Sequence, residues 1–295
     1  VSLFWTPSQI DGLKEVIAII LGFAVGIVFL LLDACTPHGL DALRRGWVWA
    51  YILAGLVAIW EKVTGYHLPS HYVETAPEYV LSFVMTSTFG NPNNYSTFAV
   101  LAFPFLLWSF RISQGLFQRF LFLILMLSVA LVLEGTGSRL ALLVYVVQLM
   151  LLFVFSPGFS GKVIILVVAG IVLGILWVGA VNDGQYMLWR KLLALSTDLA
   201  TTGGSISRRI NLVRNGLWFT YLSSGFGTGA GSFEHIVQSD WIRVPTWRVV
   251  NPLNLWIEIL SQYGVWVGVS FGFWWLFSKI TLLRAGRLAS DKETR

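Results

Sequence analysis

The chain has 295 residues, of which 56% are hydrophobic and 12% charged, with a formal net charge of +5 and a mean hydropathy of +0.73. Soluble globular domains carry roughly 25% charged residues, so this composition excludes an ordinary soluble enzyme and describes a chain that lives in a bilayer. Aromatics at 15%, including 14 Trp, suit two membrane interfaces, and the single cysteine, Cys35, excludes an intramolecular disulfide and a Cys-based metal site.

In chain order, seven apolar runs are long enough to span: 13–32, 47–60, 93–110, 120–133, 139–156, 163–181 and 256–278. The runs at 47–60 and 120–133 are short for a ~30 Å hydrocarbon core and are extended by mildly polar flanks, while 79–89 is too short to cross and reads as interfacial or re-entrant. Basic residues fall in alternate connections: Arg44 and Arg45, then Arg111 and Arg119, then Lys162, then Lys279, Arg284 and Arg287. The positive-inside rule places these in the cytoplasm, and 61–92, 134–138, 182–255 and the N-terminus outside. A chain that starts outside at Val1 with no signal peptide is expected to lack an odd number of preceding spans. The expected organisation is one all-α membrane domain over 1–295, with a large extracytoplasmic loop, 182–255, carrying amphipathic helices.

That loop holds seven bases against four acids, and six of the bases are arginine. Arginine's planar fork suits phosphate oxygens, so an anionic ligand is one reading, and snorkelling to lipid headgroups is the other. Arg208 and Arg209, beside "TTGGSIS", favour the ligand. In "EGTGSRLALL", glycines form a tight turn and Arg139 opens an apolar span, where it faces a polar cavity or pairs with Glu134. In "TFGNPNNYSTF", Asn and Pro read as a turn before a helix N-terminus, and Asn93 and Asn94 bind sugar hydroxyls or serve as caps.

"GFGTGAGSFEH" is not a nucleotide loop, since it lacks both a preceding strand and a Lys-Ser/Thr pair; its glycines indicate close backbone approach or a flexible turn. His67 and His71 are four apart, but Pro69 interrupts the helix that a metal pair would need. Asn254, Glu258 and Gln262 stack on one helix face in "NPLNLWIEILSQYG", a polar stripe inside an apolar span.

Taken in order, "TFGNPNNYSTF", "EGTGSRLALL", "SRRINLVRNGLW", "GFGTGAGSFEH" and "NPLNLWIEILSQYGVWVG" resemble the O-antigen ligase and polymerase superfamily, which includes teichuronic acid and exopolysaccharide polymerases. The similarity covers roughly residues 80–280. It implies a polytopic GT-C-like glycosyltransferase of the bacterial plasma membrane with its active site facing outside. Such an enzyme transfers a glycan from an undecaprenyl diphosphate carrier to a saccharide or lipid-linked acceptor hydroxyl, inverting, with neither metal nor other cofactor. The family's arginines fall on Arg139 and on Arg209, with Arg208 as alternative; these are the implied substrate-binding residues, to which the residues' own chemistry adds Asn93, Asn94 and Asn254. The family's "PHN" reads Pro252-Leu253-Asn254 here, so leucine stands where the histidine that activates the acceptor is expected. Glu258 and His235 are then the remaining candidates for the base. A transporter or flippase of lipid-linked saccharides, or an inactive member, are the competing readings. Polymerase and ligase are not separated by these residues.

Overall fold

The computed structural model describes residues 2–35, 39–69, 84–155, 162, 169–170, 174, 205–239, 241–246 and 249–293. The described residues form helices and no strand: α1 (Gln9–Cys35), α2 (Gly39–Thr64), α3 (Pro92–Ile112), α4 (Leu116–Thr136), α5 (Arg139–Phe155), α6 (Ser205–Leu222), α7 (Ser232–Val237) and α8 (Leu255–Glu293). Short 3-10 turns occupy Ser2–Phe4 and Ser87–Phe89. Among the described residues three helices, α2, α3 and α4, are long and apolar enough to cross a membrane, and α5 is a shorter apolar helix. The apolar runs at 47–60, 93–110 and 120–133 fall inside the first three. The run at 163–181 lies almost wholly outside the described residues, as does His71.

The chain divides into two compact units, Val1–Val28 with Ser196–Arg295, and Phe29–Leu195. In the second unit the polar turn before α3 acts as a helix start. Asn91 precedes the helix and its side-chain oxygen accepts from the Asn93 N–H at 2.8 Å, while Pro92 takes the first helical position, where no N–H is needed. Tyr95, Phe103, Leu106, Met126, Val129, Leu133 and Tyr145 are buried between α3, α4 and α5, with Phe103 edge-on to Tyr145 at 5.1 Å. The opposite faces carry exposed Trp49, Leu53, Leu101, Leu131 and Leu143, as expected of helices whose outer solvent is lipid. Gly137 ends α4 with a left-handed cap that donates to Leu133 O and Glu134 O, and Arg139 begins α5 two residues later.

One carboxylate ties this unit together. Glu61 is 1% exposed and accepts from the Thr86 N–H at 2.9 Å, the Thr86 hydroxyl at 2.8 Å and the Ser87 N–H at 2.8 Å; His67 Nδ1 lies 3.1 Å away. A buried carboxylate is tolerated when its lone pairs are used in this way. The clamp also holds Ser87 in a left-handed conformation, φ 51°. His67 is therefore engaged with Glu61.

In the first unit Leu212, Phe219, Phe233, Val237 and Ile257 form the core shared by α6, α7 and α8. Helix α8 is broken at Gly264, where φ is 87° and ψ 175°. The break frees carbonyls that the "GFGTGAGS" loop collects: Thr228 N–H donates to Ser261 O at 2.7 Å, Gly229 N–H to Gln262 O at 3.0 Å, and Val265 N–H donates back to Gly225 O at 2.8 Å. The start of the chain covers the loop's other side, with Trp5 Nε1 donating to Gly227 O at 3.0 Å and the Thr6 hydroxyl to Ala230 O at 2.7 Å. The glycines thus serve backbone-on-backbone crossing. A Cβ on Gly231 would lie 2.7 Å from the Asp11 carbonyl carbon, which leaves no room for a side chain.

Candidate functional site

The polar stripe of α8 resolves into three different tasks. Asn254 is the cap, its side-chain oxygen accepting from the Trp256 and Ile257 N–H groups at 3.0 and 3.2 Å. Gln262 is buried and its side-chain oxygen accepts from the Gly231 N–H, fixing the glycine loop. Between them Glu258 faces a cleft of about 470 Å³ together with Asp11, Glu15, Glu234, His235 and Pro252. Among the described residues its carboxylate has no hydrogen-bond or ion-pair partner.

In the same cleft His235 is oriented by a carboxylate from the other end of the chain. Its Nε2 lies 2.8 Å from Asp11 Oδ2, and Asp11 Oδ1 accepts from Lys14 Nζ at 2.8 Å. Asp11 is itself fixed by the first turn of α1. Ser8, just before the helix, receives the Asp11 N–H on its hydroxyl at 3.3 Å and returns a bond to Asp11 Oδ2 at 2.7 Å, a reciprocal cap. The Lys14 ammonium, then the His235 ring and the Ser8 hydroxyl, hold the Asp11 carboxyl well below the usual carboxylate range. A depressed carboxyl stabilises the fold above its ordinary value and loses that contribution as pH falls. The melting-temperature advantage of the wild type over Asp11→Asn is accordingly expected to be full near neutrality and to shrink below pH about 4, followed by thermal melts across pH.

With Asp11 receiving the Nε2 proton, Nδ1 of His235 is the nitrogen left to accept one, the arrangement that makes imidazole a positioned base. His235 also borders an apolar cleft of about 810 Å³ walled by Trp5, Phe219, Leu222, Phe226 and Trp241. The unit therefore offers a polar and an apolar recess that meet at one titratable ring.

Of the residues expected from sequence, His235 and Glu258 come together here. Leu253 does not line the cleft, although its neighbour Pro252 does; Leu253 is 52% exposed and its N–H donates to Asn251 Oδ1 at 2.9 Å. Its backbone is left-handed, φ 53°, which costs a leucine roughly 1–2 kcal/mol. Leu253→Gly is expected to raise unfolding stability by about 0.5–1 kcal/mol once the extra freedom of the unfolded glycine is subtracted, as read from the denaturation midpoint. Arg208 is half-buried and Arg209 exposed on the first turns of α6. Arg139, half-buried at the start of α5, and the exposed Asn93 and Asn94 belong to the other unit. Asp11 and Glu15 were not legible as site residues: they look like polar flanks of an apolar run. The one available signal is "SQID", Ser8 to Asp11, a cap motif at a span entrance.

A helical protein with bilayer-length apolar helices and a polar cleft holding an oriented histidine is the class that these observations define. Within it, the resemblance to polysaccharide polymerases is borne out by a relative. The chain is 26% identical over 279 residues to the teichuronic acid biosynthesis protein TuaE of Bacillus subtilis (strain 168), covering 92% of this chain and 55% of that protein. It thus spans about half the length of that relative. No protein-family model matches the chain, and no solved structure matches it.

Proposed function

We propose that the chain is part of a membrane glycosyltransferase, a polysaccharide polymerase or ligase, that moves a glycan from an undecaprenyl diphosphate carrier to an acceptor hydroxyl at the outer face of the plasma membrane. The observation that carries this reading is the cleft that Asp11, the His235 it orients and Glu258 line together, in which the Glu258 carboxylate has no partner among the described residues. The ordered motifs and the relative supply the substrate class. On this reading the whole protein has seven or more spans and a GT-C-like arrangement, and its large loop lies outside.

The reaction is a single displacement. The acceptor oxygen attacks the anomeric carbon, the carbon–oxygen bond to the diphosphate breaks, and undecaprenyl diphosphate leaves with the electron pair. The acceptor proton passes to Nδ1 of His235, and Asp11 stabilises the imidazolium that forms. Asp11 is thus a positioning residue. Glu258 accepts hydrogen bonds from acceptor sugar hydroxyls and aligns them. Arg208 and Arg209, on the first turns of α6 in the same unit as His235, are the cations assigned to the developing diphosphate charge. Asn254 acts through the helix that it caps.

The test is transfer by the full-length protein in proteoliposomes, given an undecaprenyl diphosphate-linked oligosaccharide and an acceptor. Lengthened product with release of undecaprenyl diphosphate is expected. Movement of the intact lipid-linked saccharide across the bilayer without transfer would make the protein a transporter instead.

A further inference from the structure

The polar cleft beside His235 holds more hydrogen-bonding groups than the displacement uses. Helix α8 folds back on itself at Gly264, so that the Trp256 ring lies 5.4 Å from that of Phe271 and 5.9 Å from that of Trp275. Its first arm, which carries Glu258 and Gln262, is thereby braced against the second. Gln262 is 2% exposed and lines the cleft. Its side-chain oxygen is taken by the Gly231 N–H, but its amide nitrogen has no partner among the described residues. A buried amide donor that finds no acceptor in the protein and borders a cleft is available to a ligand.

Acceptors surround it. Glu258 stands one turn before Gln262 on the same face of the arm. Glu15, from α1, lines the same cleft; one of its oxygens receives the Tyr263 hydroxyl, and the other has no partner among the described residues. Glu234, with Oε1 3.5 Å from Asn251 Nδ2, is the third. The Lys14 ammonium in this lining is committed to Asp11 at 2.8 Å. A sugar hydroxyl both accepts and donates, so it satisfies an amide N–H and a carboxylate at once. A uronate or a diphosphate would instead meet three carboxylates with no cation between, which is like-charge repulsion in a partly dry recess.

We propose that this cleft is the acceptor subsite and selects an uncharged terminal sugar, one hydroxyl of which accepts from Gln262 Nε2 and donates to Glu258. Glu15, positioned by Tyr263, takes a neighbouring hydroxyl. The proposal rests on the reading of the protein as a glycan transferase and adds which end group the acceptor presents. The donor's phosphates are turned away from this side of His235 by the same carboxylates.

Binding to the full-length protein in phosphatidylcholine nanodiscs is read by saturation-transfer NMR. The probes are the methyl glycosides of glucose, galactose, N-acetylglucosamine and N-acetylgalactosamine, with methyl glucuronide, methyl galacturonide and methyl glucosaminide as charged counterparts. Saturable binding of at least one neutral glycoside is expected, with both uronides about tenfold or more weaker. Gln262→Glu keeps the acceptor that Gly231 requires and removes the donor, so it should weaken the neutral glycoside about tenfold. Glu258 is half-buried, so Glu258→Gln keeps the fold, and it should narrow the preference over uronides by a similar factor. Absence of neutral binding, a uronide that binds as well as the best neutral glycoside, or unchanged binding and preference in both variants overturns the proposal. So does methyl glucosaminide binding more tightly than every neutral glycoside, which would make the cleft an ammonium site. Because binding is read without turnover, a protein that shows the preference yet transfers nothing refutes the transferase reading and leaves the sugar site standing. Transfer onto a uronide-ended acceptor as fast as onto a neutral-ended one refutes the preference alone.

Discussion

Replacing His235 by alanine in the full-length protein is expected to lower glycan transfer by about 10²–10⁴-fold, the contribution of one positioned general base. The loss should appear in kcat, because the proton moves only as the acceptor oxygen attacks. Asp11→Asn should fall part of the way: the ring remains, but an amide no longer favours the required tautomer or balances the imidazolium. Glu258→Gln is expected to act on acceptor binding, raising KM by about tenfold with a smaller change in kcat, since it removes a hydrogen-bond acceptor and leaves the base in place. Leu253→His tests the alternative placement of the base. That side chain is outside the lining of the cleft, so transfer should stay near the wild-type rate. A hundredfold rise in Leu253→His, or a His235→Ala variant as active as wild type, would move the base away from His235.

How much of this could be read beforehand differs by kind of feature. Apolar runs found α2, α3 and α4, since the hydrophobic length of a span is written directly in the chain; α2 and α4 run several residues beyond 47–60 and 120–133, as the shortness of those runs requires, because flanking residues such as Asp41, Lys62 and Arg119 are polar without breaking a helix. The Asn91-Pro92 start of α3 and the Gly137 stop of α4 were legible because caps are local chemistry. The break in α8 was not. Hydropathy runs through Gly264 without a change, and what bends the chain there is a loop some 35 residues earlier in sequence that supplies and receives the displaced backbone bonds.

The candidate site shows the same division. The four-residue spacing of Asn254, Glu258 and Gln262 placed them on one face, but which of the three would be left open depended on partners elsewhere. The Asn254 oxygen is consumed by its own helix and that of Gln262 by Gly231, so of the three Glu258 is the one without a partner among the described residues. Asp11 meets His235 across 224 residues, and Tyr263 donates its hydroxyl to Glu15 across 248. No periodicity carries such pairings, which arise only when the chain start folds onto the glycine loop.

Gly264→Ala is expected to unfold or severely loosen the first unit, with a loss of more than about 3 kcal/mol. Two costs combine. A φ of 87° is a conformation that a Cβ disfavours, and the added atom would lie 2.4 Å from Gly225 O and 2.6 Å from the Phe226 carbonyl carbon. Both obstacles are backbone, so no rotamer change relieves them. Relief requires the loop to withdraw, and withdrawal would take with it the bonds from Thr228 to Ser261, Gly229 to Gln262 and Val265 to Gly225. Helix α7, which begins at Ser232 and carries His235, would lose its support, so transfer should fall with stability. Gly272→Ala provides the contrast on the same helix. Its Cβ would meet only Trp256 at an ordinary 3.6 Å, and alanine is the better helix former by roughly 0.5–1 kcal/mol, so that variant should melt at or slightly above the wild-type temperature. Thermal melts and limited proteolysis between 205 and 239 would read both. A Gly264→Ala protein that melts with the wild type and resists cleavage would show that α8 can straighten there, and that the glycine loop does not depend on the break.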